Sequence, residues 1–202
     1  MQFEIMTVVK ETFMASLKNI PSFLGAAILW LLTCWIPYIN VGTTICLFYA
    51  IPIEISKGEI VNPLSIFDGK YRKYMGEFFN ILGMMAVSII PAMMFMLVPG
   101  IIISIGWCLA ICLMIDKEIN PAEAMTLSTK CTYGHKWSIF GSALLIGIIW
   151  FVAFIILGGI AQAIGVGFIS FLIFFVLIAV LLTLNICFTG IVYRYLGRPT
   201  AV

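Results

Sequence analysis

A long stretch without a charged residue runs from Trp137 to Tyr193, with the sequence WSIFGSALLIGIIWFVAFIILGGIAQAIGVGFISFLIFFVLIAVLLTLNICFTGIVY. About 20 helical residues span the hydrocarbon core of a bilayer, so this stretch is too long for one crossing. Backbone N–H and C=O groups cannot stay unpaired in lipid, which favours helices. Turn signals lie inside the stretch at Gly158-Gly159, with Gly165 and Gly167 beyond them. The stretch therefore predicts a helical hairpin in a membrane.

Two more uncharged stretches, 19–53 and 78–115, precede the last one. Each contains its own turn signal, Pro37-Tyr38-Ile39-Asn40 in the first and Val98-Pro99-Gly100 in the second. Each stretch is again too long for a single crossing, so each predicts a hairpin. The sequence thus predicts an all-α integral membrane protein with six transmembrane helices, at about 20–36, 41–55, 78–97, 100–115, 137–157 and 168–193.

The composition excludes several classes of protein. Hydrophobic residues make up 63% of the 202 residues and charged residues 10%, against roughly 45–50% and about 25% in soluble domains. So little polar surface cannot cover a water-soluble particle of this size. A soluble enzyme, a nucleic-acid-binding module and a disordered chain are therefore excluded.

The charges predict the orientation in the membrane. All eleven Lys and Arg residues lie outside the three uncharged stretches, so the three predicted outer turns carry none. Loops rich in Lys and Arg stay in the cytoplasm. Both termini and the segments 56–76 and 116–136 are therefore predicted to be cytoplasmic.

An internal repeat of 58 residues divides the chain. Asn62-Pro63 recurs as Asn120-Pro121 at this spacing, and the same offset relates two series of glycines: Gly25, Gly83 and Gly141, and Gly42, Gly100 and Gly158. Asn suits the N-cap of a helix and Pro its first position. We predict one membrane domain over 1–202 with pseudo-threefold units of about 1–58, 59–116 and 117–202. Each unit would be a cytoplasmic amphipathic helix followed by a hairpin. Gly25, Gly83 and Gly141 would lie at equivalent helix contacts, and Gly42, Gly100 and Gly158 at equivalent places near the outer turns.

The sequence offers no catalytic or metal-binding constellation. The uncharged stretches lack ionisable acids and bases, and the single histidine, His135, has no partner residues at a ligand or triad spacing. We therefore predict no enzyme activity, no catalytic residue, no metal site and no cofactor.

Basic residues beside the predicted cytoplasmic helices are the candidate binding residues for an anionic ligand or lipid headgroup: Lys70, Arg72, Lys73, Lys130, His135, Lys136 and Arg194. Anionic headgroups are attracted to such residues. The alternative is that they only enforce topology, with His135 as an interfacial side chain beside Trp137. Asn185, inside the last helix, either forms an interhelical hydrogen bond or lines a pathway.

Two short segments carry a family resemblance. INPAEAMTLS at 119–128 and GHKWSIF at 134–140 resemble the signature EA-x-x-x-S … G-(N/H)-K/R-W-x-x-F of a broad set of uncharacterised prokaryotic membrane proteins. Those proteins look related to the membrane domain attached to some glycerophosphodiester phosphodiesterases. Shorter matches occur at 66–69, 98–100 and 193–196. The resemblance implies a six-helix domain of a prokaryotic cytoplasmic membrane, standing alone without the catalytic barrel, and it implies no activity.

Two functions remain open from the sequence. The first is non-enzymatic binding or movement of a lipid or a small amphiphile, with membrane lipids as partners. The second is a membrane interaction, immunity or resistance factor that acts through a protein partner. A homo-oligomer is compatible with both functions, and neither involves nucleic acid.

The charge distribution predicts which positions are accessible outside intact cells. We expect single cysteines at Asn40, Val98 or Gln162, in a cysteine-free background, to react with an impermeant thiol reagent, because these turns lack Lys and Arg. Cysteines at Lys70 or Lys117 should react only after permeabilisation. Labelling at Lys70 or Lys117 in intact cells would contradict the predicted orientation.

Overall fold

The computed structural model of the chain describes residues 3–164 and 167–198, and these are helical without any β-strand. The α-helices are α1 (Ile5–Thr33), α2 (Pro37–Ile45), α3 (Ile51–Lys57), α4 (Met75–Phe95), α5 (Leu97–Trp107), α6 (Ala110–Lys117), α7 (Pro121–Thr132), α8 (Lys136–Ile164) and α9 (Gly167–Val192). π-helical turns at Cys46–Ala50 and Tyr193–Gly197 continue α2 and α9, and 3-10 helices occupy Pro63–Phe67 and Gly69–Tyr74. Because the π turn joins α2 to α3, we call the whole run the 37–57 helix.

Among the described residues six helical runs are long and apolar enough to cross a membrane, which confirms the predicted all-α class and the predicted number of such helices. They are Ile5–Thr33, Pro37–Lys57, Gly69–Phe95, Leu97–Lys117, Lys136–Ala161 and Ser170–Gly197. Many large apolar side chains on α8 are exposed, such as Phe151 and Ile155, each 57% exposed. Exposed apolar surface on this scale fits contact with lipid better than contact with water.

The amphipathic helix predicted at the N-terminus is not a separate element. It continues without a break into the first apolar run as α1, because Pro21 is accommodated inside the helix. One face of α1 is buried along most of its length, from Val8 through Thr12 and Asn19 to Ala26. Tertiary packing of this face keeps the helix continuous through Pro21, a residue type that weakens helices.

The prediction of an amphipathic helix after Asn62 is wrong, because two short 3-10 helices occupy this segment. The Asn62 side chain does accept a hydrogen bond from the Leu64 backbone N–H at 3.1 Å. Asp68 then interrupts the run and starts a second turn, with its carboxylate accepting from the Lys70 N–H at 3.0 Å. By contrast, the predicted N-cap at Asn120 is confirmed: its side chain accepts from the Glu123 N–H at 2.9 Å and α7 follows.

The segment between the 37–57 helix and α4 packs into the first hairpin. The Val61 N–H donates to the Asn19 side chain at 3.2 Å, and a Cβ added at Gly25 would lie 3.6 Å from Pro63 Cβ. The Cys46 thiol donates to the Ser65 carbonyl at 3.4 Å. Residues 61–65 therefore lie between α1 and the 37–57 helix.

This packing corrects one part of the predicted orientation. The Arg72 guanidinium lies over the Tyr38 ring, 5.6 Å from its centroid, and the Arg72 side chain also lies against Gly42. The Pro37–Asn40 turn was predicted outside and Arg72 inside. Because they are in contact, they cannot face opposite sides of a bilayer.

The glycines and the last predicted turn also differ from expectation. Gly25 and Gly141 have Pro63 and Ile5 within 4 Å of an added Cβ, but Gly83 has nothing within that distance. The prediction that these three occupy equivalent contacts is therefore wrong. α8 runs through Gly158-Gly159 to Ile164 without a turn, while Gly165 and the side chain of Gln162 lie outside the described residues.

The fourth apolar run breaks at Cys108–Leu109, between α5 and α6, although a single helix was predicted there. Ser128 of α7 pairs the groups released by the break: its hydroxyl donates to the Gly106 carbonyl at 2.7 Å and accepts from the Leu109 N–H at 3.3 Å. Thr132 also donates to the Gly106 carbonyl, at 3.4 Å. All four residues, Gly106, Leu109, Ser128 and Thr132, are buried, so water cannot replace these bonds.

Replacing Ser128 tests the importance of this pairing. We expect Ser128→Ala to destabilise the fold by about 1–3 kcal/mol, because a buried N–H and part of a carbonyl lose their partner. The control is Thr126→Ala, since the exposed Thr126 hydroxyl only donates to Ala122 of its own helix. Thermal unfolding in detergent measures both variants, and equal midpoints would contradict the prediction.

Candidate functional site

An apolar groove lies between the first turns of α8 and the length of α5. It has a volume of about 430 Å³, and its lining is almost entirely apolar or aromatic: Val98, Ile101, Ile102, Ile105, Tyr133, Gly134, Lys136, Trp137 and Phe140. The α5 members recur at helical spacing and so form one face of that helix. Gly134, with a left-handed φ of 81°, allows the tight turn that brings α7 and α8 together at the groove.

Lys136 is the only charged residue in the lining of this groove. A Cβ added at Gly106 would lie 3.5 Å from the Lys136 amine, which places the amine beside the last turn of α5. A cation is favourable at this end of a helix, where carbonyls are unpaired. Among the described residues the amine has no ion pair and no hydrogen bond, so it retains its capacity to bind an anion.

Aromatic side chains flank the charged end of the groove. Tyr133 is 80% exposed and Trp137 is 77% exposed, and the Trp137 ring makes an edge contact with Phe140, with centroids 6.2 Å apart. Tyr and Trp are enriched where membranes meet water, since one part of the ring is apolar and another polar. The groove therefore combines an apolar floor, an aromatic rim and one cation.

A second, polar cleft forms where the end of the 37–57 helix, the second 3-10 helix and the end of α6 meet. Its volume is about 320 Å³, and its charged lining residues are Glu54, Lys57, Glu59, Lys70, Lys73, Asp116 and Glu118. Lys70 pairs with Asp68 at 3.0 Å and Lys73 with Glu118 at 2.7 Å. The Tyr193 hydroxyl donates to Asp116 at 2.6 Å. Two of the predicted anion-binding lysines are thus already paired with acids.

Glu118 occupies an unusual position in this cleft. It is the one described non-glycine residue with a left-handed backbone, at φ 51°, a conformation that costs an ordinary residue free energy. Its carboxylate accepts hydrogen bonds from Lys73 at 2.7 Å and Tyr74 at 2.8 Å. These two bonds, with Lys73 the larger cause, lower the pKa of Glu118 below its ordinary value.

The remaining predicted binding residues do not share one surface. Arg72 lies on Tyr38, Lys130 lies in the last turn of α7, and Arg194 pairs with Glu11 at 3.5 Å. The His135 ring contacts Phe3, with centroids 5.6 Å apart. The structure therefore distributes the predicted basic residues over separate places, and among them only Lys136 lines the groove.

Asn185 forms its side-chain hydrogen bond within α9. Its side chain is exposed on α9 and donates to the Leu181 carbonyl of its own helix at 3.1 Å. The amide thus forms a bond within its own helix instead of the predicted interhelical one, and a role of Asn185 along a pathway stays a prediction. One turn of α9 satisfies the amide locally instead.

Sequence reasoning missed the apolar residues of the groove. Val98, Ile101, Ile102 and Ile105 have the spacing of one helix face, which was a usable signal. The spacing could not show which face of α5 lines the groove, because α5 is apolar on every side and has no polar face to indicate its orientation. Only the position of α8 shows which face of α5 lines a cavity.

No protein-family model matches this chain, and neither a curated protein nor a solved structure shows significant similarity to it. The function can therefore be inferred only from the groove and the polar cleft.

The lowered pKa of Glu118 gives a prediction for the pH dependence of stability. A carboxyl whose pKa is lower in the folded than in the unfolded state stabilises the fold at pH values above its unfolded-state pKa of about 4.3. This contribution disappears as the pH falls through the folded-state pKa. We expect Glu118→Gln to lower the thermal midpoint at neutral pH, and we expect this difference from the parent to shrink as the pH is lowered from the unfolded pKa through the folded pKa of Glu118. Glu59→Gln, in the same cleft with an exposed side chain, is the control. A difference between Glu118→Gln and the parent that does not change with pH would contradict this assignment.

Proposed function

We propose that this protein binds a membrane lipid or a small amphiphile, with the apolar tail in the groove between α5 and α8 and an anionic head at Lys136. The single observation that carries the proposal is the unpaired Lys136 amine at the end of an otherwise apolar groove. A free cation beside apolar walls matches a molecule with one anionic end and one apolar end.

The apolar and the anionic end of such a ligand would contribute differently to its affinity. Each buried methylene group contributes about 0.8 kcal/mol, so the groove walls supply most of the affinity. A basic residue near the membrane surface adds about 1 kcal/mol for an anionic headgroup. The amine therefore sets the orientation and the charge preference of the ligand more than its affinity.

The polar cleft is a weaker candidate for the same ligand. Its lining contains four acids and three lysines, and two of those lysines already have carboxylate partners. An anion entering the cleft would have to displace Glu118 or Asp68. For this reason the groove, and not the cleft, is the proposed site.

The proposal places the chain in the cytoplasmic membrane of a prokaryote as a multi-pass, non-enzymatic protein. The absence of Lys and Arg from the predicted outer turn at 98–100 supports cytoplasmic termini. Membrane lipids are its proposed partners, and a homo-oligomer is compatible with the exposed apolar faces. The Asn62 side chain accepts from the N–H two residues further on and the Asn120 side chain from the N–H three residues further on, so both asparagines begin a helical turn, as the proposed repeat requires.

Fluorescence quenching tests the groove, since Trp137 lines it. We expect a doxyl-labelled fatty acid to quench tryptophan emission of the purified protein in detergent, and Lys136→Gln to weaken this binding about fivefold through the loss of ~1 kcal/mol. Lys136→Arg should retain the affinity because it keeps the charge. Trp137→Phe identifies the share of quenching that reports on the groove.

The controls separate headgroup binding from a role in topology alone. Lys130→Gln removes a nearby cation on α7 that does not line the groove and should leave binding unchanged. The methyl ester of the same fatty acid should bind the parent and Lys136→Gln equally. Equal affinity of the parent and Lys136→Gln for the free acid would overturn the proposed role of Lys136.

A further inference from the structure

An open depression lies beside the last turn of α5, between α4 and α7. Its volume is about 540 Å³, and its walls include Met84 of α4, Trp107 of α5 and the α7 residues Ala122, Met125, Thr129 and Lys130. Lys130 is its only charged lining residue and lies in the last turn of α7. Like the groove, the depression therefore combines mainly apolar walls with one cation.

The groove and the depression approach each other at Gly106. A Cβ added at Gly106 would lie 3.5 Å from the Lys136 amine and 3.9 Å from the Thr129 hydroxyl oxygen. Lys136 lines the groove, whereas Thr129 and Trp107, the residue after Gly106, line the depression. The charged ends of the two spaces are therefore neighbours at the end of α5.

Two cations are available at this place. Among the described residues Lys130, like Lys136, has no carboxylate partner, since the ion pairs there involve Lys70, Lys73 and Arg194. A lysine amine is a compact charge with three donors on a flexible stem. Both amines can therefore donate to different oxygens of one phosphate at the end of α5.

We propose that the ligand is an anionic phospholipid with two acyl chains, whose phosphate lies between Lys136 and Lys130. One chain occupies the groove towards Val98, and the other occupies the depression towards Ala122 and Met84. This inference rests on the proposed function, because it names the class of amphiphile that the groove binds.

The arrangement matches two chains better than one. The carboxylate of a fatty acid needs only the Lys136 amine, and its single chain needs only the groove. The two chains of a phospholipid start from adjacent glycerol carbons, so they leave the headgroup side by side and can enter neighbouring apolar spaces. The Thr129 hydroxyl already donates to the Met125 carbonyl at 3.0 Å, so the phosphate would depend on the two amines.

A comparison of one and two chains under the same headgroup tests the depression. Dioleoylphosphatidylglycerol and its lyso form compete in detergent against the doxyl-labelled fatty acid bound in the groove. For the parent we expect the two-chain lipid to bind more tightly, because its second chain buries further apolar area. Ala122→Phe fills the depression from an exposed position, so it should lower the affinity of the two-chain lipid to that of the lyso form. Ala86→Phe, at an exposed position of α4 that lines neither space, is the matched control.

A second set of variants tests the headgroup. Lys130→Gln should weaken phosphatidylglycerol binding about fivefold, the factor for one basic residue near a membrane surface, and should leave fatty acid binding unchanged. Lys130→Arg keeps the charge and should bind as the parent does. Lys18→Gln removes an exposed lysine of α1 that lines neither space and should have no effect on either lipid.

The outcomes separate this inference from the proposed function. If the labelled fatty acid does not bind the parent, the proposed function fails and the inference fails with it. If Lys136→Gln weakens fatty acid binding but Ala122→Phe and Lys130→Gln bind phosphatidylglycerol as the parent does, only the inference is overturned. Native mass spectrometry should show one phosphatidylglycerol bound to the parent. Two molecules on the parent and one on Ala122→Phe would assign the spaces to separate lipids and would also overturn the inference.

Discussion

The pairing of backbone groups at the break after Gly106 is the constraint on which the rest of the structure depends. An apolar environment offers no water to a free N–H or carbonyl, so a helix can break there only where side chains replace the lost bonds. Ser128 supplies a donor and an acceptor from one hydroxyl, to Gly106 and Leu109. This fixes α7 against α5, and α7 leads through Gly134 directly into α8. The groove between α5 and α8 is therefore a consequence of the break.

The contacts of the basic side chains also explain which of them remain available to bind an anion. Lys70, Lys73 and Arg194 have carboxylate partners within 4 Å, and Arg72 lies on the Tyr38 ring. Exposed pairs of this kind contribute little stability, but they reduce the net charge that a ligand meets. Lys136 differs because its neighbours in the groove are apolar. Its availability comes from its surroundings and not from its position in the sequence.

The first hairpin shows how a polar segment can enter an apolar bundle. Residues 61–65 lie between α1 and the 37–57 helix, where Asn19 accepts the Val61 N–H. Gly42 leaves room for the aliphatic part of Arg72. The distribution of charges alone predicts that residues 56–76 form a simple cytoplasmic loop. The contact between Arg72 and Tyr38 shows instead that this loop reaches the Tyr38 end of the 37–57 helix, the end that was predicted to lie outside.

The sequence by itself determined that the fold has six apolar helices long enough to cross a membrane, because long uncharged stretches such as 137–193 favour helices that are buried or surrounded by lipid. It also determined local features that depend on neighbouring residues, such as the N-cap at Asn120. The tertiary structure decided the rest. Whether residues after Asn62 form an α-helix depends on their fit against α1, and whether α5 and α6 form one helix depends on Ser128. The sequence of a uniformly apolar helix such as α5 does not distinguish one face from another. Only the packing of α5 against α8 could therefore show that Ile105 lines the groove.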